Sequence, residues 1–142
     1  MAVITNGSLL YLPEVRQDLA VADAVLPSLD AGNSDLYKRI NRPHPDLTFK
    51  SLIDGLKIFR KEYDKKLWVE VMLVRDLNDS EVALREISIN FFMLFFNTQN
   101  CKINLIHFRG GKQMREKKGL LICSIIVMLF VSMACRGCGK SK

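Results

Sequence analysis

Two polar side chains at the end of a predicted buried strand are the first candidates for chemistry. Side chains alternate between the two faces of a strand, so Leu26, Ser28 and Asp30 share one face of the run that covers residues 24–31. In parallel α/β sheets and barrels, ligands bind at the carboxyl ends of the strands, where Ser28 and Asp30 lie. The same spacing fits a simpler role, in which both side chains only cap the helix that follows.

A single carboxylate interrupts a later apolar run. Glu70 is the one charged residue in residues 67–74, a pattern that is typical of a parallel strand covered on both faces. A buried carboxylate is costly unless it is hydrogen-bonded or paired, so Glu70 must have a partner, a functional role or an exposed position. An ion pair with a neighbouring basic residue and a catalytic role both remain open.

Charge is divided unevenly along the 142 residues, a length that allows one domain or a piece of a larger one. Residues 1–88 contain 12 Lys or Arg and 14 Asp or Glu, a net charge of −2. Residues 89–142 contain 9 Lys or Arg and one Glu, a net charge of +8. The basic overall charge therefore does not describe the first segment and gives no support for nucleic-acid binding there.

Apolar periodicity predicts an alternation of strands and helices over residues 1–88. The predicted strands cover about residues 3–5, 24–31 and 67–74, and the predicted helices cover about residues 13–21, 49–63 and 79–88. Such alternation is typical of an α/β fold with a parallel sheet and right-handed crossovers. Because Pro27 cannot donate a ladder hydrogen bond, its strand is predicted at a sheet edge or in an incompletely closed barrel.

Four short motifs, in this order and spacing, resemble the second half of a radical S-adenosylmethionine (SAM) barrel. They are Thr5-Asn6-Gly7, Ser28-Leu29-Asp30-Ala31, Ile40-Asn41-Arg42-Pro43 and Asn78-Asp79-Ser80. The resemblance covers residues 2–88 and is greatest to the radical SAM proteins related to wyosine-base synthesis on tRNA. It implies an α/β fold, a partial radical SAM (β/α) barrel of three strand–helix units, followed here by an apolar C-terminal helix.

The resemblance also implies cofactors and residue roles. An intact parent protein would use SAM and a 4Fe–4S cluster, which three cysteines hold in a Cys-x3-Cys-x2-Cys motif. The implied cofactor-binding residues are Asn6, Ser28, Asp30 and Asn78. The implied substrate-binding residues are Arg42, His44 and Glu70, of which the first two would meet phosphates or carboxylates. For His44, a rigid loop between two prolines with solvated side chains is the alternative.

The cysteines depart from the family pattern. They are Cys101, Cys123, Cys135 and Cys138, and no three of them form Cys-x3-Cys-x2-Cys. We therefore predict no metal site, and we expect this chain alone to hold neither the cluster nor SAM stably. The predicted function is that of a radical SAM enzyme fragment that is inactive by itself. Its partner would be a missing N-terminal half that bears the cluster, or a separate chain that supplies this half. A tRNA partner is implied by the family resemblance alone.

Sequence character changes after residue 88. Residues 89–118 are predicted as an atypical connecting segment, residues 119–135 as an uncharged apolar helix, and residues 136–142 as a basic tail. The uncharged run is at the lower limit for a bilayer span and has basic flanks. The alternative function is therefore a small tail-anchored membrane protein with an α/β binding module. Such a protein would lie in a membrane, held by a single C-terminal span, whereas the radical SAM fragment would lie in the cytoplasm.

A shifted reading frame is a further hypothesis for the same segment. Near residue 89 the helical period, the charge balance and the family likeness all change together. A frame shift at that point would make residues 89–142 unrelated in sequence to the parent protein, and it would explain an apolar run without a structural role.

Overall fold

A computed structural model describes residues 1–95, 101–109 and 112–113. The sheet contains β1 (Ala2–Thr5), β2 (Ala24–Pro27), β3 (Lys66–Val74), β4 (Cys101–Arg109) and β5 (Lys112–Gln113). The helices are α1 (Pro13–Leu19), α2 (Ser34–Asn41), α3 (Phe49–Glu62) and α4 (Glu81–Phe95). The predicted α/β class with a parallel sheet is confirmed.

The strands lie side by side in chain order. Strands β1 to β4 are parallel, and β5 pairs antiparallel with β4. The helices cover one face of this sheet, where Val25 and Val69 pack in a core with Leu52, Leu56 and Phe59 of α3. The strands lie in chain order and are joined by helices on one side, so within the described part of the chain no helix packs on the second face, as in one part of a barrel.

That second face is called the open face below. On β3 the odd-numbered residues 67–73 are buried, whereas the even-numbered residues 68–74 are half-buried. The expectation that β3 is covered on both faces is therefore wrong for the described part of the chain, because the helices occupy one side only. The open face is formed by Leu26, Ser28, Trp68, Glu70, Met72, Val74 and Asn104.

Pro27 lies in an internal strand, because β2 is bordered by β1 and β3. Ser28 N–H donates to Thr5 O of β1 (3.0 Å), and Leu29 N–H donates to Glu70 O of β3 (2.8 Å). Alternate residues thus donate to opposite neighbours, so the missing N–H of Pro27 would have faced β3. The β2–β3 ladder is interrupted there and resumes at the Ser28–Glu70 bridge. The predicted edge position is therefore wrong, whereas the incompletely closed barrel, the other alternative, stays a prediction.

The helices follow the sequence with two differences. Helix α3 begins as expected, with Thr48 and Ser51 forming a reciprocal capping box. Helix α2 was not predicted: Asn33 caps it by accepting Leu36 N–H (2.9 Å), and its polar start is typical of a loop. Helix α4 continues to Phe95 instead of ending near Ser88, because its last turns add buried aromatic side chains to the core.

The segment after α4 is described in part. Strand β4 lies within residues 89–118 and pairs with β3 over eight positions, from Leu67 with Cys101 to Val74 with Phe108. The predicted apolar helix at 119–135 and the basic tail at 136–142 lie outside the described residues. Within the described part of the chain, no helix has both the length and the apolar character that crossing a bilayer requires.

Candidate functional site

Three polar residues occupy neighbouring positions on the open face: Ser28 follows the end of β2, and Glu70 and Asn104 lie midway along β3 and β4. The backbone of Ser28 forms a parallel β-bridge with the backbone of Glu70, and Glu70 stands opposite Asn104 in the parallel register of β3 and β4. The Asn104 amide donates to Glu70 Oε1 over 3.2 Å. Ser28 and Glu70 are half-buried, and Asn104 is exposed. The partner of Glu70 is thus an amide, and no ion pair of Glu70 exists among the described side chains.

Asp30 lies at the same edge but is buried, with 6% of its surface exposed. Its Oδ1 accepts the backbone N–H of Met72 (2.8 Å), and its Oδ2 accepts the Asn41 amide (3.3 Å). It therefore joins the β2–α2 loop to β3 and to the end of α2. The sequence left open that Asp30 only caps the following helix. Neither of its two partners belongs to the first turn of α2, so these contacts are not those of a helix cap.

The electrostatics of Asp30 follow from this burial. Loss of water raises the pKa of the Asp30 carboxyl above its ordinary value, and the negative charge of Glu70 acts in the same direction. The hydrogen bonds from Met72 N–H and the Asn41 amide act in the opposite direction but are smaller. The carboxylate is thus held in a site that partly favours its neutral form.

Asn78 is fully buried, and its side-chain amide has three hydrogen bonds. Its Nδ2 donates to Asp30 O and Met72 O, both at 2.8 Å, while its Oδ1 accepts Val74 N–H at 2.6 Å. The amide therefore links the loop after β2 to the end of β3. This geometry gives Asn78 a positioning role, and direct cofactor contact stays a prediction that would need the side chain to be uncovered.

Asn6, Arg42 and His44 come together in one cavity of about 230 Å³. The other lining residues are Ser8, Tyr37, Asn41, Pro43 and Leu47. Asn6 closes a turn by accepting both Ser8 N–H (3.0 Å) and Ser8 Oγ–H (2.8 Å). The structure thus places these three predicted residues together, while Ser28 and Glu70 lie on the open face and do not line the cavity.

Arg42 is held in an unusual backbone conformation. It ends α2 with φ 44° and ψ 55°, the left-handed region that favours glycine or asparagine. Pro43 follows directly, and a proline disfavours helical conformations at the residue before it. A non-glycine residue in such a conformation costs on the order of 1–3 kcal/mol. The exposed Arg42 side chain is therefore carried on a strained backbone position at the cavity.

Sequence reasoning missed two polar residues of this edge. Asn41 was quoted as part of a motif, but its bond to Asp30 depends on α2, which was not predicted. Asn104 falls in the segment that was interpreted as atypical, and its signal would have been a polar residue inside an apolar run, as for Glu70. The side chains of the described residues contain no group of three metal ligands.

No family model matches this chain. A GTPase Obg of Brachyspira hyodysenteriae is 47% identical over 87 residues, which are 61% of this chain and 13% of that protein. A UPF0026 protein of Helicobacter pylori is 30% identical over 145 residues, which cover 99% of this chain and 46% of that protein. A GTP 3′,8-cyclase of Lactiplantibacillus plantarum is 31% identical over 84 residues, 58% of this chain and 24% of that protein. The chain thus spans less than half the length of these relatives.

Two solved structures share the fold. A domain of a pyruvate-formate lyase-activating enzyme from Bacteroides vulgatus superposes with a TM-score of 0.66 at 13% identity, over 89% of this chain and 74% of that chain. A radical SAM methyltransferase from Sphaerobacter thermophilus superposes with a TM-score of 0.61 at 22% identity, over 89% of this chain and 37% of that chain. The parallel sheet with its four helices is therefore radical SAM-like in fold.

Proposed function

We propose that this chain forms the carboxyl-side part of a radical SAM barrel and that its open face binds SAM. The observation that carries the proposal is the convergence of Ser28, Glu70 and Asn104 on the uncovered face of a sheet with this fold. Ligands of such sheets bind toward the carboxyl ends of the strands. Ser28 lies just past the end of β2, and Glu70 and Asn104 lie beside it, midway along β3 and β4. Buried Asp30 and Asn78 hold the adjacent strand ends in place.

The chemistry of the open face suits SAM. The ribose hydroxyls and the amino group of SAM are hydrogen-bond donors, and the Glu70 carboxylate and the Ser28 hydroxyl are acceptors for them. Asn104 supplies both an acceptor and a donor, and it holds Glu70 in place. When bound beside a reduced cluster, SAM supplies a 5′-deoxyadenosyl radical. The residues of this chain contribute binding and orientation.

A 4Fe–4S cluster does not fit the residues of this chain. Site-differentiated clusters need three cysteine thiolates in close spacing, and the sequence has no Cys-x3-Cys-x2-Cys motif. We therefore propose that a cluster-bearing half, outside these 142 residues, completes the protein. By family resemblance we place the chain in the wyosine-synthesis-related group, with tRNA as a candidate partner and the cytoplasm as the compartment.

Nucleotide hydrolysis is not proposed, although one relative bears a GTPase name. Phosphate-binding loops of such enzymes need the pattern Gly-x4-Gly-Lys-Ser/Thr. Residues 1–95 contain three glycines, at positions 7, 32 and 55, and none of them is followed by lysine. The match also covers only 13% of the GTPase Obg.

The experiment measures SAM affinity by calorimetry on this chain assembled with a cluster-bearing half. Glu70→Gln should weaken SAM binding about tenfold, the effect of losing one hydrogen bond to a charged group. Glu81→Gln is the matched control, because Glu81 is exposed at the start of α4. Equal affinities of the two variants would refute the role of the open face.

A second pair of variants tests the strand end. Asp30→Ala should weaken SAM binding more than Asp23→Ala, since Asp23 lies at the opposite end of β2 and pairs with the amino terminus. If both changes have equal effects, Asp30 is only a fold anchor and takes no part in shaping the SAM site.

A further inference from the structure

Helix α4 carries an apolar stripe on the side that faces away from the sheet. Val82 and Met93 are each 69% exposed, and Ile89 is 43% exposed. They lie seven and four residues apart along α4, a spacing that puts all three on one face of the helix. Leu84 and Ile87, on the opposite face, pack in a core cluster with β3. The described residues thus leave the stripe open to water.

We propose that residues 119–135 of this chain pack along the α4 stripe. These residues include no charged side chain and consist mostly of Leu, Ile, Val and Met. An uncharged run and an exposed apolar stripe in one chain both gain by leaving water, and contact between them satisfies both. The proposal is independent of SAM binding, because the stripe and the open face belong to opposite sides of the sheet.

The described chain brings this segment close to the stripe. Helix α4 begins beyond the carboxyl end of β3, and β5 pairs with the carboxyl end of the parallel neighbour β4, so both lie at the same edge of the sheet. Residues 114–118, when extended, span up to about 18 Å, which exceeds the diameter of about 10–12 Å of the helix. From Val82 to Met93, α4 rises about 16 Å, and residues 119–135 would reach about 25 Å at the helical rise.

Polar partners favour the α4 stripe over the open face as the place for this segment. An uncharged apolar segment laid on the open face would take water from the Glu70 carboxylate without offering a charged partner, which is costly. Beside the stripe, Glu81 and Arg85 pair with each other at 3.4 Å. The Asn90 amide donates to Gly32 O at 2.8 Å. The polar side chains next to the stripe therefore have partners of their own when the stripe is covered.

Hydrogen exchange of the full chain, followed by mass spectrometry, tests the contact. Val82→Lys and Met93→Lys each put a charge on the stripe, and both positions are exposed, so the amides of β3 should stay protected. Amides of residues 119–135 should exchange at least tenfold faster in either variant than in the original chain. Val21→Lys is the matched control, because Val21 is 72% exposed but lies in the turn before β2. It should change the exchange of this segment less than twofold.

Flotation with phosphatidylcholine vesicles separates this contact from a membrane span. The original chain should stay in the aqueous fraction, and Met93→Lys should float with the vesicles to a greater extent, because its apolar segment is released. Equal flotation of the original chain and the variant would make the bilayer the occupant and overturn the proposal. It would also be overturned by exchange rates of residues 119–135 that are the same in the original chain and both stripe variants. Protection that is lost on tenfold dilution would assign the contact to a second copy of the chain instead.

Discussion

Replacement of Asn78 by alanine should destabilise the fold more than any other single amide deletion at this edge. The change removes three hydrogen bonds and leaves Val74 N–H, Asp30 O and Met72 O without that partner. Of the three bonds, the one to Asp30 O is fully buried, and the other two are partly buried.

The expected loss in the free energy of unfolding follows from these three bonds. A buried polar group that loses its partner costs about 1–3 kcal/mol. With about 2 kcal/mol for Asp30 O and about 0.5 kcal/mol for each partly buried group, the free energy of unfolding should fall by about 3 kcal/mol. At a urea dependence of about 1.5 kcal/mol per molar, the unfolding midpoint should fall by about 2 M.

Urea titrations followed by circular dichroism measure this difference. Asn6→Ala is the control, because Asn6 is exposed and its loss should cost less than about 1 kcal/mol. Asn78→Asp keeps the acceptor for Val74 N–H but turns carboxylate oxygen toward two carbonyls, so it should be at least as destabilising as alanine near neutral pH. A loss below about 1 kcal/mol for Asn78→Ala, or an Asn78→Asp chain as stable as the original, would refute the role of Asn78 in joining the loop after β2 to the end of β3.

Three further predictions concern acid stability, the helix end and the gene. Burial raises the pKa of the Asp30 carboxyl in the folded state. The stability that Asp30 contributes is therefore fully present below its pKa in the unfolded chain, and it is lost as the pH rises through its pKa in the folded chain. Asp30→Asn removes this loss, so in urea titrations from pH 3.5 to 7 the stability of the variant relative to the original chain should rise with pH. A difference in free energy of unfolding that does not change with pH would contradict the burial effect. A chain ended at residue 88 lacks buried Phe92, Leu94 and Phe95, each worth about 1.5–3 kcal/mol, so it should melt well below a chain ended at 113 or aggregate; a cooperative melt at the same temperature would contradict this. The frame shift stays a prediction, and resequencing codons 85–110 would refute it if no alternative frame continues a helix and a strand.

Local patterns predicted the fold where one signal dominated. The spacing of apolar residues in α3 and the cap at Thr48 fixed that helix, and the alternation of strands and helices gave the parallel sheet. Helix α2 escaped prediction because its first residues, Ser34 and Asp35, are as typical of turns as of helix starts. The internal place of β2 escaped prediction because the ladder gap that tolerates Pro27 arises from pairing with a distant strand.

The segment after residue 88 shows a limit of periodicity. Helix α4 runs through residues 81–95 without a break, and β4 continues the sheet in register with β3. The loss of amphipathic period near residue 89 therefore does not mark the end of the described fold. The rings of Phe91 and Phe95 lie 5.0 Å apart in a tilted arrangement and pack on the core, so an apolar helix end of this kind needs no amphipathic pattern.

The roles of the candidate site residues stay predictions, and the structure adds where each side chain lies. The family resemblance named Asn6, Arg42 and His44 as candidates, and in the structure all three line one cavity. Two other candidate residues differ in burial: Asn78 is fully buried, whereas Glu70 is half-buried on the open face. Sequence alone could not make this distinction, because burial depends on α2 and on the pairing of β2 with β3.

The most direct measurement is the electron paramagnetic resonance spectrum of the reduced cluster in the assembled protein. The chain alone, reconstituted anaerobically with iron and sulfide, should give no 4Fe–4S signal that responds to SAM. A cluster-bearing half with this chain should give a signal that changes when SAM is added, and that change should be lost without the chain. A SAM-dependent change that is the same with and without the chain, or a SAM-responsive cluster on the chain alone, would contradict its assignment as the SAM-binding part of a divided barrel.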